Sequence, residues 1–200
     1  MATNDVLSSA EALAAVNLTA DSTGRLVILT SAVSQQLDEL CGPVVQRTVT
    51  AETHDGGSTF IALDERPVAS VTTVTEYAGT TSTTLTAESN TSKTGNDYFL
   101  DTGGVIRRRS GGGDSRFPTG RGNVAVTYVA GRAANTAAVD AKFKQAAAMM
   151  LRNLWVSEAA SGSETIGAFT DQIAVNPLLG PGMLNKVAAL LSGEMKAPSV

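Results

Sequence analysis

The spacing of apolar residues along this chain starts near 3.6, shifts to two, and returns to 3.6, and each regime predicts its own kind of element. Ser8-Ser9-Ala10-Glu11 has the form of a capping box, with a serine hydroxyl at the N-cap and a glutamate at the third helical position. It predicts a short helix over 8–16, with Leu7, Leu13 and Val16 on one side. The segment Leu18 to Ser22 supplies a second helix start. Leu26, Leu29, Val33, Leu37 and Leu40 then recur at three- and four-residue steps, the stripe of an amphipathic helix over 22–41. Arg25, Gln35, Gln36 and Asp38 take the other side. Gly42-Pro43 stops it, because glycine accepts a left-handed cap and proline cannot extend the ladder.

From Val44 the period is two. Val45, Arg47, Val49 and Ala51 alternate with Val44, Gln46, Thr48 and Thr50, as on a half-exposed strand. A turn at Asp55-Gly56-Gly57-Ser58 leads to Thr59–Leu63, and the two runs are expected to pair as a hairpin. Further strands are expected at Val68–Tyr77, Thr83–Glu88, Asp97–Asp101, Val105–Arg109 and Asn123–Val129. Ser110–Gly122 is glycine-rich and reads as a long loop. A helix over 138–158 follows, with Phe143, Ala146, Ala147, Met150, Leu151 and Leu154 as its apolar side. Trp155, the one tryptophan, is expected to anchor that helix to the sheet. A linker near 159–164 and a short helix over 183–192 complete the chain. The order, helices first, then strands, then helices, is that of an α+β fold with an antiparallel strand region rather than alternating βαβ units. The expected organisation is a core over 1–160 and a C-terminal tail over 161–200 that docks in cis or in trans, because its apolar residues form too large a surface to stay bare.

Composition narrows the chemistry. With 200 residues, 42% hydrophobic but only 4% aromatic, the core must be built from Ala, Val, Leu and Ile. Cys41 is the single cysteine, so no internal disulfide or cysteine cluster can form, and it reads as packing at a helix end. His54, the single histidine, lies in a polar stretch before Gly56-Gly57 and reads as part of a hairpin tip. Gly111-Gly112-Gly113 leads into Asp114, the wrong charge for a phosphate cradle, and no serine has the Gly-x-Ser-x-Gly setting. The acids at Asp64-Glu65, Asp97 and Asp101 read as solvated loop ends rather than as a catalytic pair or a calcium site. No catalytic residue, metal ligand or cofactor is expected. No apolar run approaches the ~18 residues a membrane-spanning helix needs, and the start lacks a basic signal-peptide region.

One charged feature stands out on a chain of formal net charge −4: Arg107, Arg108, Arg109, Arg116 and Arg121, opposed locally by Asp114 alone. Such a patch is either a solvated hairpin tip or a contact for DNA backbone or for an acidic neighbouring subunit.

Taken in order, the pieces resemble the head-to-tail connector or adaptor proteins of long-tailed phages, the gp6-like/gp15-like family. The resemblance rests on Leu26…Ser31-Ala32-Val33…Leu37…Cys41-Gly42, Leu63-Asp64-Glu65-Arg66-Pro67-Val68-Ala69-Ser70-Val71, Tyr98-Phe99-Leu100-Asp101 with Gly104-Val105-Ile106, and Val124-Ala125-Val126-Thr127-Tyr128-Val129-Ala130-Gly131. It spans roughly residues 22–158. Asn135-Thr136-Ala137-Ala138 stands where the family has a proline before the long helix.

The resemblance implies a non-enzymatic virion protein, made in the host cytoplasm. It would form a ring, commonly dodecameric, below the portal, extend the DNA channel and offer a platform for the next neck or tail protein. By position, the portal-gripping segment would hold Ile166, Phe169, Ile173, Leu178, Leu179, Met183, Leu184, Val187 and Leu191, and the arginines would face DNA or the next ring. A head-closure or tail-terminator protein is the nearest alternative, and a β-rich adhesin a more distant one.

Overall fold

The computed structural model describes residues 4–21, 23–88, 97–101, 103–161 and 185–194, with side chains described as far as 158 in the long helix. The fold is α+β, with four helices and antiparallel sheets among these residues. The chain divides into two compact units: Met1–Val45 with Ala133–Val200, which is helical, and Gln46–Arg132, which is built from strands.

Helix α1, Ser9–Ala15, begins on the expected capping box: the Ser8 hydroxyl accepts from the Glu11 amide, and the Glu11 carboxylate accepts from the Ser8 amide at 2.8 Å. Helix α2, Arg25–Cys41, starts later than its polar prelude suggests. Gly24 occupies the N-cap in the left-handed region, and the Asp21 carboxylate, reaching past it, accepts from the amides of Thr23 and Leu26. Gly42 closes the helix with its amide on the Asp38 carbonyl.

The strands are β1 (Arg47–His54), β2 (Phe60–Ala62), β3 (Val68–Ala78), β4 (Thr81–Leu85), β5 (Tyr98–Asp101), β6 (Val105–Ser110), β7 (Gly113–Asp114) and β8 (Val124–Ala130). One sheet has the order β1-β8-β3-β4; the other has β2-β6-β5, with β7 paired to β6. The expected β1–β2 hairpin does not form. Gly56 and Gly57 turn their amides to the carbonyls of Gly120 and Phe117, so the turn binds the later loop and sends β2 into the second sheet. This packing admits no side chain at position 56, where a Cβ would stand 1.8 Å from the Pro118 carbonyl oxygen. Regular alternation along β1 also fails. A bulge between Val49 and Glu52, with Ala51 at φ +52°, shifts the register and turns Glu52 and His54 inward.

After a 3-10 turn at Thr136–Ala138, helix α3 runs Ala141–Ser161, and α4 covers Asn185–Leu191. The start of α3 is displaced from 138 by Asn135, whose carboxamide caps the 3-10 turn by accepting from the Ala138 amide.

Each unit has its own core. The helical unit buries Leu26, Leu29, Val33 and Leu37 of α2 against Phe143, Ala146, Ala147, Met150 and Leu151 of α3. Cys41 is buried there as expected. Full burial of one such leucine contributes roughly 1.5–3 kcal/mol. Trp155, expected to anchor the helix to the sheet, packs against this helical core, with the Arg25 guanidinium 5.8 Å from its ring centre. The strand unit buries Ile61, Leu63, Val74, Leu85, Ile106, Phe117 and alternate residues of β8. Val124, Val126, Tyr128 and Ala130 all face inward, as strict period two requires.

Candidate functional site

The arginine cluster sorts into two kinds of residue. Along β6 the side chains alternate, so Arg108 faces the side opposite Arg107 and Arg109. Arg108 is 14% exposed and grips Glu76 of β3 with two hydrogen bonds, Nε to Oε2 and Nη2 to Oε1, both 3.0 Å. It also donates to the carbonyl of Asp97 at 2.9 Å and stands 3.8 Å from that residue's carboxylate. Arg109 pairs with the buried Glu88 carboxylate at 3.0 Å and with Asp114 at 2.6 Å. Asp114, and then the charge of Glu88, hold the Arg109 guanidinium still more firmly protonated than usual. Asp114 is therefore not the sole opposing charge. Glu76, Glu88 and Asp97, remote in sequence or across a turn, converge on the same strand.

Arg107, Arg116 and Arg121 form the open part of the cluster. Arg107 is exposed, with Asp101 at 3.4 Å. Arg116 is exposed and donates to the Gly57 carbonyl at 3.1 Å. Arg121 is exposed and has no ion pair among the described residues. The loop carrying Arg116 and Arg121 is tied to the β1–β2 turn: the Gly122 amide donates to Asp55, and the Gly56 amide to the Asn123 side chain and to the Gly120 carbonyl. The expected long loop is therefore fixed by backbone hydrogen bonds along part of its length.

A second polar cluster lies inside the strand unit. The Tyr128 hydroxyl donates to Glu52 Oε2 at 2.5 Å and accepts the Glu65 amide at 3.0 Å. Glu52 Oε1 takes the Asp64 amide at 3.1 Å and stands 2.7 Å from His54 Nε2. Burial, reinforced by the neighbouring Glu52, pushes the Tyr128 hydroxyl well above its ordinary range. A phenol held this firmly protonated is a poor acid at neutral pH, and the carboxylate beside it already has three partners. The arrangement acts as a clamp that fastens the turn after β2 to β8. Two sequence signals point to it in retrospect: Glu52 and His54 two apart on a strand, and an inward tyrosine on the central one. His54 ends a strand and belongs to this cluster, rather than capping a free hairpin tip.

Of the expected docking-tail residues, Val187 and Leu191 are fully buried in the core of the helical unit through α4. Ile166, Phe169, Ile173, Leu178, Leu179, Met183 and Leu184 lie outside the described residues. Among the described residues no helix is long and apolar enough to cross a membrane, and no group of three or more His, Cys, Asp or Glu residues is placed to hold a metal ion.

No family model matches the chain, and no curated protein matches it. Among solved structures, a chain of the "Neck of empty GTA particle computed with C6 symmetry" has the same fold. The TM-score is 0.53 at 19% sequence identity, and the match covers 100% of this chain and 98% of that one. At that identity the likeness is one of fold.

Proposed function

We propose that this chain is a structural protein of the neck of a phage-like particle, a head-to-tail adaptor that assembles as a ring beneath the portal, continues the DNA channel and carries the next neck or tail protein. The observation that carries the reading is the end-to-end match in fold with a chain from a particle neck. A likeness that covers both the helical unit and the inserted strand unit supports a shared architecture more strongly than either unit alone. The polar clusters are consistent with a mechanical role: Arg108, Arg109 and Glu52 are each engaged by partners within the fold.

In this reading the work divides by region. The segment from Ile166 to Leu184 grips the portal, while Val187 and Leu191 moor the end of the tail to its own helical unit. Arg116 and Arg121 are the arginines that meet DNA phosphates or the next ring, because Arg108 and Arg109 are committed to internal carboxylates and Arg107 lies beside Asp101. The ring is homo-oligomeric, with a dodecamer as the expected size, and its place is the virion.

The test is electron microscopy of particles assembled with the full chain and with a chain ending at Gly162. The full chain is expected as a ring at the vertex between portal and tail, and the shortened chain is expected to miss that position. Density at the tail end or within the tail tube would replace the adaptor by a terminator. Normal decoration of portals by the shortened chain would remove the tail from the docking role.

A further inference from the structure

The second sheet breaks the rule that an antiparallel sheet with one face on the core turns polar residues to water. Ile61, Ile106 and Leu100 face the core of the strand unit. The pairing register puts the intervening residues on the opposite face in two rows. Phe60, Arg107 and Phe99 lie side by side in one, and Ala62, Val105 and Asp101 in the other. That face is open: Phe60 is 51% exposed, Arg107 is exposed, and Phe99 and Asp101 are half-buried beside them. An arginine on the central strand β6, flanked by a phenylalanine on each outer strand, β2 and β5, has the composition of an interface centre, not of a solvated surface.

The helical unit carries a surface of complementary character. On α2, Ile28, Ala32, Gln35 and Glu39 fall at spacings of four, three and four, which aligns them on one helical face. All are exposed, and Ile28 is 71% exposed. Glu39 has no ion pair among the described residues.

We infer that the Phe60–Arg107–Phe99 face of one copy docks on the Ile28–Glu39 face of α2 in a second copy, with Arg107 meeting Glu39. This rests on the ring reading given above and names the contact that closes the ring. Unlike surfaces meeting head to tail make a heterologous interface, the kind that generates rings. A flat apolar row takes up a helical ridge, and the opposite charges of Arg107 and Glu39 fix the register. The Arg107–Asp101 pair, its side chains 46% and 41% accessible, offers little resistance to exchange for an intermolecular partner.

The experiment uses the full chain, with mass photometry and light scattering as readouts and circular dichroism to confirm folding. Arg107→Glu and Glu39→Arg are each expected to weaken association at least about tenfold, and the double variant is expected to restore the wild-type mass. Separately, chains carrying Ile28→Cys and Phe60→Cys are mixed and oxidised; a disulfide-linked dimer is expected from the mixture and not from either chain alone. Wild-type rings that tolerate both charge reversals and give no cross-link would overturn the contact and leave the ring standing. A wild-type chain that stays monomeric in every condition overturns the ring and the contact together.

Discussion

Replacing Arg108 with alanine isolates the effect of a half-hidden ion pair from that of an exposed neighbour one residue away. Arg108 and Glu76 are 14% and 13% exposed and share two hydrogen bonds of 3.0 Å, and the same guanidinium donates to the carbonyl of Asp97. Alanine leaves the Glu76 carboxylate out of water with its charge unopposed. Breaking a buried pair from one side costs roughly 3–5 kcal/mol, and the residual exposure here places the cost near the lower end, about 3 kcal/mol. For a chain of this size each kcal/mol moves the melting temperature by about 2–4 °C, so a fall of about 6–12 °C is expected. Arg107→Ala removes only the exposed contact with Asp101, 46% and 41% accessible, at a cost of about 0–1 kcal/mol. Calorimetry on both full-length variants reads the difference directly. Glu76→Gln added to Arg108→Ala removes the stranded charge and is expected to recover part of the loss. Equal shifts for Arg107→Ala and Arg108→Ala would show that the converging carboxylates do not set the strand's stability.

Tyr128→Phe takes the hydroxyl from the clamp, leaving the Glu65 amide and one Glu52 oxygen without their partner; a loss of about 1–3 kcal/mol is expected in urea unfolding, and an unchanged midpoint would show that the clamp carries no load. Glu11 supplies a pH signature. Burial raises its pKa, but hydrogen bonds from Lys144 and Ser8 outweigh this and bring it down from 4.5 to about 2. Its stabilising contribution is therefore complete above about pH 4.5 and disappears as the pH falls toward 2. Because the side chain is 37% exposed, solvent limits the contribution to about 1 kcal/mol. Denaturation followed between pH 5 and 2 is expected to be flatter for Glu11→Gln than for the wild type, and identical slopes would exclude the Glu11 contribution.

How much was legible in the sequence depends on how far apart the interacting residues lie. The apolar stripes of α2 and α3, the capping box at Ser8, the burial of Cys41 and the strict period two of β8 all follow from residues within a few positions of one another, where backbone geometry alone fixes which side chains share a face. Strand partners are a different matter. Period two says that β1 and β2 are strands but not that β1 lies beside β8 and β2 beside β6, because pairing depends on hydrogen bonds across long loops. The arginine cluster shows the same division. Read along the chain it meets only Asp114, and in the fold it meets Glu76, Glu88 and Asp97 as well, which turns two of its members from surface charges into internal fastenings. Trp155 lies on the helix where its neighbours place it, but its packing against the core of the helical unit is decided by the tertiary structure. Local periodicity specifies elements and faces through fixed backbone repeats. Partners, buried charges and the bulge that turns Glu52 inward arise only when distant segments compete for the same space and the same hydrogen bonds, so the tertiary structure alone decides them.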